Sequence, residues 1–155
     1  MKKQQNLEEM LFSLKDIYEQ QMPFNRFLKI HIDVLTTEEV RVRIDMRQEL
    51  IGNFVRQILH GGVISSVLDL TGGLIASVEL LKLIREDSTD EIVTKMSRVG
   101  TIDLRVDYLR AGKGNYFKAS GSILRKGNKV AVTRTELFND SDLLIAAGTG
   151  TYLIG

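Results

Sequence analysis

From Val63 to Ile84 the chain is almost wholly apolar, with Asp69, Glu79 and Lys82 its only charges. A run of this length approaches the thickness of a bilayer. As a membrane span, however, it would hold Asp69 near mid-bilayer at a cost of about 2.5 to 3.5 kcal/mol, and Glu79 and Lys82 would add to that. The better reading is a helix inside the protein. Being apolar around most of its girth, it must be covered on most sides, so the rest of the chain has to supply a sheet large enough to wrap it.

That sheet is legible on either side of the helix. Ile30, Ile32 and Val34 alternate with His31 and Asp33, and Val40, Val42, Ile44 and Met46 alternate with Arg41, Arg43 and Asp45. This predicts a hairpin with one wet face, turning over Thr36 to Glu39. After the helix the polar stretch Arg85 to Glu91 reads as a loop, and strands follow near Thr101–Leu109, Tyr116–Arg125, Lys129–Phe138 and Leu143–Leu153. Lys126-Gly127-Asn128 and Asn139-Asp140-Ser141 supply turns between them. Upstream, Leu7, Met10, Leu11, Leu14 and Ile17 recur at helical spacing, predicting a helix over Leu7–Gln21 that Pro23 ends. A strand pair, a long helix and four successive strands make an α+β order rather than a βαβ alternation. The 155 residues, 43% hydrophobic, suit one domain over 23–155 behind an N-terminal helical segment at 1–22.

Charge and composition exclude several classes. A net charge of +1 gives no overall field for nucleic acid or an anionic membrane, so an anionic ligand must be met by local basic residues. With no cysteine there is no disulfide, thiol nucleophile or thiolate metal site. No metal-binding His/Glu spacing, phosphate-cradling glycine loop or dinucleotide motif is present, so no metal and no cofactor is expected. The opening Lys2-Lys3-Gln4-Gln5-Asn6 lacks the apolar stretch of a signal peptide, making the cytoplasm the expected compartment.

Chemistry concentrates where the apolar helix begins, in His60-Gly61-Gly62-Val63-Ile64-Ser65-Ser66-Val67-Leu68-Asp69. The first amides of a helix have no internal partner, and glycines let a substrate approach them closely, so the Gly61 N–H is placed to hold an oxyanion. Asp69 is flanked by apolar neighbours and has no basic residue three or four positions away, which marks it as a candidate catalytic carboxylate. Eight residues of helix separate the two by roughly 12 Å, too far for one carbonyl carbon. Two antiparallel copies of the helix would bring them together. A homodimer with each site shared across the interface is therefore expected. His60 reads as a residue whose ring fixes the turn, and Ser65 and Ser66 as small packing residues rather than nucleophiles.

The interval of nine from His60 to Asp69 resembles the signature of the PaaI-type thioesterases of the hotdog-fold superfamily. Met22-Pro23-Phe24-Asn25-Arg26, Ile58-Leu59-His60-Gly61-Gly62, the run from Ser97 to Leu109 and Gly127-Asn128-Lys129-Val130-Ala131-Val132 resemble, in the same order, the YigI-like branch of those enzymes. The resemblance spans about residues 22 to 155. It implies a hotdog fold, an antiparallel sheet wrapped around a long central helix, with dimers that join two sheets edge to edge and in many members pair into tetramers.

It also implies roles for further residues. Asn53 resembles the polar residue that orients the thioester or the water, but it stands seven positions before His60 where six is usual. Phe54 takes the usual place; a one-residue bulge would restore the geometry for Asn53, and Gln57 is the substitute otherwise. Thr101 stands where related enzymes carry Ser or Thr, and its hydroxyl is expected to hold a water against Asp69. His60, Gly62 and Val63 are expected beside the substrate. Lys126 and Lys129 are expected near the coenzyme A phosphates, with Arg98 and Arg105 as substitutes. The implied activity is hydrolysis of medium- to long-chain fatty acyl-CoA, with Asp69 either deprotonating water or attacking directly. The acyl tunnel is expected beside the helix, near Val63, Leu70 and Leu74. From another class, an acyl-CoA-binding regulator without turnover is the runner-up, although one helix before Pro23 is too little for a helix-turn-helix. A hotdog dehydratase ranks third, its Asp-x-Asn-Pro-x-x-x-His pattern being absent.

Overall fold

The computed structural model describes residues 2–83 and 94–155, with side chains from Leu7 onward. The heptad-like spacing of Leu7, Met10, Leu11 and Leu14 builds α1 (Lys2–Asp16), which lays that stripe on the core. Its last turn widens into a π-helical turn over Ile17–Gln21, closed by the Met22 N–H donating to the Ile17 carbonyl at 3.0 Å. Pro23 does end this helix, but it also begins another. Met22 is extended, as a residue before proline prefers, and Pro23 takes the first position of α2 (Pro23–Leu28), where its missing N–H costs nothing. The sequence reading had no α2.

The predicted hairpin is β1 (His31–Leu35) and β2 (Val40–Asp45), antiparallel, with Val40, Val42 and Ile44 turned inward. Its turn is pinned by the Thr36 hydroxyl, which accepts the N–H groups of Glu38 and Glu39. A single 3-10 turn over Gln48–Leu50 leads to a two-stranded ribbon, β3 (Ile51–Asn53) with β4 (Ile58–Leu59), which the sequence did not reveal. Next comes α3 (Gly61–Leu83), then β5 (Gly100–Tyr108), β6 (Tyr116–Lys126), β7 (Val130–Asn139) and β8 (Leu144–Leu153). The loop expected over Arg85–Glu91 lies outside the described residues.

Six strands form one antiparallel sheet in the order β1-β2-β6-β7-β8-β5. It wraps α3, which packs against β2, β5, β6, β7 and β8, while α1 lies on the helix from another side. This is the hotdog arrangement. Although α3 is long and apolar enough to cross a membrane, Val67, Leu68, Leu74 and Ala76 on it are fully buried against the protein, so it is a core helix.

Candidate active site

Asp69 sits in the third turn of α3, half-buried between the helix and the ends of β5 and β8. Two hydroxyls converge on the same carboxylate oxygen. Thr101, on β5, donates its Oγ1–H to Asp69 Oδ1 at 2.9 Å. Tyr152, on β8, brings its Oη to 3.2 Å from Oδ1 and 2.9 Å from the Asp69 carbonyl, dividing one proton between them. Oδ2 accepts no hydrogen bond from any described residue, and Asp69 lines a cavity of about 230 Å³ with Ser66, Leu70, Thr101, Tyr152 and Tyr18. The carboxylate is thus oriented through one oxygen and free at the other.

Tyr152 reaches this position because two glycines leave room for its ring. A Cβ on Gly72 of α3 would lie 2.3 Å from the Tyr152 Oη, and one on Gly150 of β8 would lie 2.6 Å from it. Any larger residue at either place displaces the phenol. Burial raises the Tyr152 phenol well above its ordinary value, and the Asp69 charge beside it raises it further, so the hydroxyl remains a donor. On the opposite wall Tyr18 is pushed up to about 12 by burial, against a lowering by the Ser77 hydroxyl 3.2 Å away.

The glycine turn lies at the other end. His60 precedes α3, its carbonyl accepting the Val63 and Ile64 N–H groups and its Nδ1 accepting the Gly62 N–H at 2.8 Å. The ring therefore fixes the turn, as its place in a glycine-rich sequence suggested, and it occupies the Gly62 amide. The Gly61 N–H donates to no described group, while its carbonyl accepts the Tyr108 hydroxyl at 3.1 Å. With Tyr108 beside Gly61 and Thr101 beside Asp69, β5 runs antiparallel to the first turns of α3. Neither His60, Gly61, Gly62 nor Val63 lines the Asp69 cavity.

Other expected residues fall elsewhere. Asn53 ends β3, exposed, with Oδ1 accepting the Arg56 N–H at 2.9 Å; Gln57 turns back to the Phe54 carbonyl. Both shape the β3–β4 loop near the glycine turn, far along the helix from Asp69. Lys126 donates to the Glu79 carbonyl and carboxylate, each at 3.2 Å, toward the C-terminal end of α3, and Lys129 stands exposed at the β6–β7 turn. Burial works to raise the Glu79 carboxyl, but the ammonium groups of Lys82 and Lys126 outweigh it and hold it below its ordinary value. Thr101 meets Asp69 directly, not at the remove a bridging water implies. Of Val63, Leu70 and Leu74, only Leu70 lines the Asp69 cavity, and Leu74 is fully buried in the core.

The family model described as the Thioesterase superfamily matches residues 56–146. The chain is 43% identical, over 96% of both chains, to proteins of Salmonella typhimurium and Escherichia coli named medium/long-chain acyl-CoA thioesterase YigI. It is similar in structure to a Shewanella oneidensis protein related to the thioesterase superfamily, with a TM-score of 0.92 and 43% identity over 96% of this chain and 97% of the other. The Escherichia coli PaaI protein shares the fold at a TM-score of 0.75 and 15% identity, covering 96% of each chain. With its carboxylate held on the central helix of a hotdog fold, the chain belongs to the thioesterase superfamily.

Proposed function

We propose that the protein hydrolyses medium- to long-chain acyl-CoA to the free acid and coenzyme A at two sites shared across a homodimer. The single observation carrying this reading is the carboxylate of Asp69, held by two neutral donors with Oδ2 left open to a cavity. Oδ2 takes a proton from water as the oxygen attacks the thioester carbonyl, or attacks that carbon itself to give an anhydride that water then opens. In either route the carbonyl oxygen gains negative charge, which the Gly61 N–H of the partner subunit receives at the positive end of its helix. Collapse of the tetrahedral adduct breaks the C–S bond, in the second route before water opens the anhydride. The thiolate then takes a proton, from the Asp69 carboxyl in the first route and from solvent water in the second.

Sharing follows from the way β5 is used. It is an edge strand, pairing with β8 alone among the described strands, and it carries exposed Ile102 and Tyr108, with Leu109 just beyond. Such an edge invites a second strand. Two copies of β5, antiparallel about an axis between Leu104 and Arg105, set Thr101 of each chain opposite Tyr108 of the other. That pairing brings each Asp69 beside the partner's Gly61. A pairing of such dimers leaves these sites unchanged. Names borne by the relatives support the substrate class.

The chain has no cysteine, so a thiol reagent added to purified protein reports released coenzyme A alone. Acyl-CoAs from acetyl to palmitoyl are assayed in this way. Octanoyl and longer chains are expected to turn over fastest, and Asp69→Asn to lower turnover at least about a hundredfold with fold retained. No thiol from any substrate overturns the hydrolase reading. Near-normal turnover by Asp69→Asn removes Asp69 from the chemistry.

A further inference from the structure

The Asp69 cavity has a neighbour on the far side of Tyr18. Tyr18, Met22 and Val99 line it and also line a second cavity of about 470 Å³, which continues between α1 and the C-terminal half of α3. Met10 and Leu14 of α1 and Ile17 of the turn after it line this cavity, together with Leu81 of α3 and Met96. This size falls within the range of small-molecule sites, which are apolar with a few polar groups. Methionine is suited to such a wall, since its unbranched side chain adapts to occupants of different length. Tyr18, hydrogen-bonded to Ser77 where the two cavities meet, gives the passage a fixed side. From Asp69 to Leu81 the helix advances about 18 Å. That span lies on the side of the carboxylate away from Gly61, hence away from where the thioester enters between subunits.

Resting on the thioesterase reading, we propose that this chamber under the N-terminal helix receives the distal part of the acyl chain, and that Met10, Leu81 and Met96 set the chain length accepted. The tunnel then runs toward the C-terminal end of α3 instead of along Val63 and Leu74. Its roof is α1, so the N-terminal segment is part of the substrate site. Glu9, Ser13, Gln21 and Ser97 also line the chamber, but most of its wall is apolar, as an acyl chain requires.

Met10 and Met96 are both half-buried, so a larger side chain at either has solvent to yield into, and the chain has no tryptophan of its own. Met10→Trp and Met96→Trp each therefore block the chamber and install a single fluorophore. Even one methylene in an apolar pocket is worth about tenfold, so kcat/KM for dodecanoyl- and palmitoyl-CoA should fall at least about tenfold in either variant, with acetyl- and butyryl-CoA nearly unaffected. In the same proteins 12-bromododecanoate should quench the indole fluorescence while unbrominated dodecanoate does not. Either folded variant suffices, as judged by circular dichroism and elution volume. Loss of activity that is equal across chain lengths, or no quenching at saturating bromo-acid, overturns the chamber and leaves the hydrolase reading intact. Wild-type protein that releases no thiol from any acyl-CoA overturns the hydrolase reading instead.

Discussion

Mixing two inactive variants tests the shared site most directly. Asp69→Ala removes the carboxylate, and Gly61→Pro removes the N–H proposed to hold the oxyanion. The structure makes the second change a mild one. Gly61 is the first residue of α3, where proline is accepted, its φ is not positive, and a Cβ there would lie no nearer than 3.4 Å from the Tyr108 ring. Each homodimer should be inactive, since every site lacks one group. Refolded together at equal amounts, about half of the dimers should be mixed, and each mixed dimer should hold one site with both groups intact and one with neither. Activity should therefore recover to about a quarter of wild type in the mixture, and to about half in mixed dimer isolated through two affinity tags, read as coenzyme A thiol release. The geometry behind this is the roughly 12 Å of helix between the two residues, with Thr101 and Tyr108 marking its ends on β5. Mixed dimers that form and stay inactive would refute the argument, because both groups would then have to serve from one chain.

Tyr152→Phe should lower kcat by roughly tenfold to a hundredfold with little change in KM, the scale of one hydrogen bond to a charged group at about 1.5 to 3 kcal/mol; an unchanged kcat would leave the tyrosine a packing residue only. Gly72→Ala should force the phenol from its slot and cost about 1 to 3 kcal/mol, seen as a lower Tm together with reduced turnover, and a wild-type melt would show that the slot is wider than 2.3 Å implies. Tyr18 titrates near 10 unfolded and is pushed up to about 12 when folded, so its contribution is complete below pH 10 and is lost as pH rises through about 12, because the unfolded chain releases the proton first. Denaturant midpoints of Tyr18→Phe should then fall less steeply than wild type over that window, and parallel curves would count against it.

How much of this was legible in the sequence depended on the range of the interaction. The long helix, its glycine turn and all six strands of the main sheet follow from local periodicity, and their observed bounds differ from the expected ones by a residue or two. What was missed is short or ambivalent. Three residues of β3 are too few to show alternation, and Pro23 is as good a first helical residue as it is a stop. Asp69 and Thr101, which the structure joins by a hydrogen bond, are singled out in the sequence by a spacing and a family pattern. Tyr152 stands 83 residues from Asp69 in a strand that reads as ordinary, and only Gly72 and Gly150 hint that something bulky must cross there. The Lys126–Glu79 pair is hidden for the same reason, its members being 47 residues apart.

The partners of Asp69 also revise the argument that singled it out. A carboxylate among apolar neighbours with no cation nearby in the sequence is a sign of function, since burying an unpaired charge is costly. Among the described residues no Lys, Arg or His pairs with Asp69, so that premise holds, but the carboxylate is not bare. A guanidinium in the same place would engage both oxygens in a fork and leave neither for a substrate. Hydroxyls from two different strands instead converge on Oδ1, supplying part of the solvation lost on burial while fixing the plane of the group. Because Thr101 lies on the edge strand and Tyr152 on its neighbour, a strand that orients the carboxylate is also the edge at which a second subunit would pair to deliver the Gly61 amide.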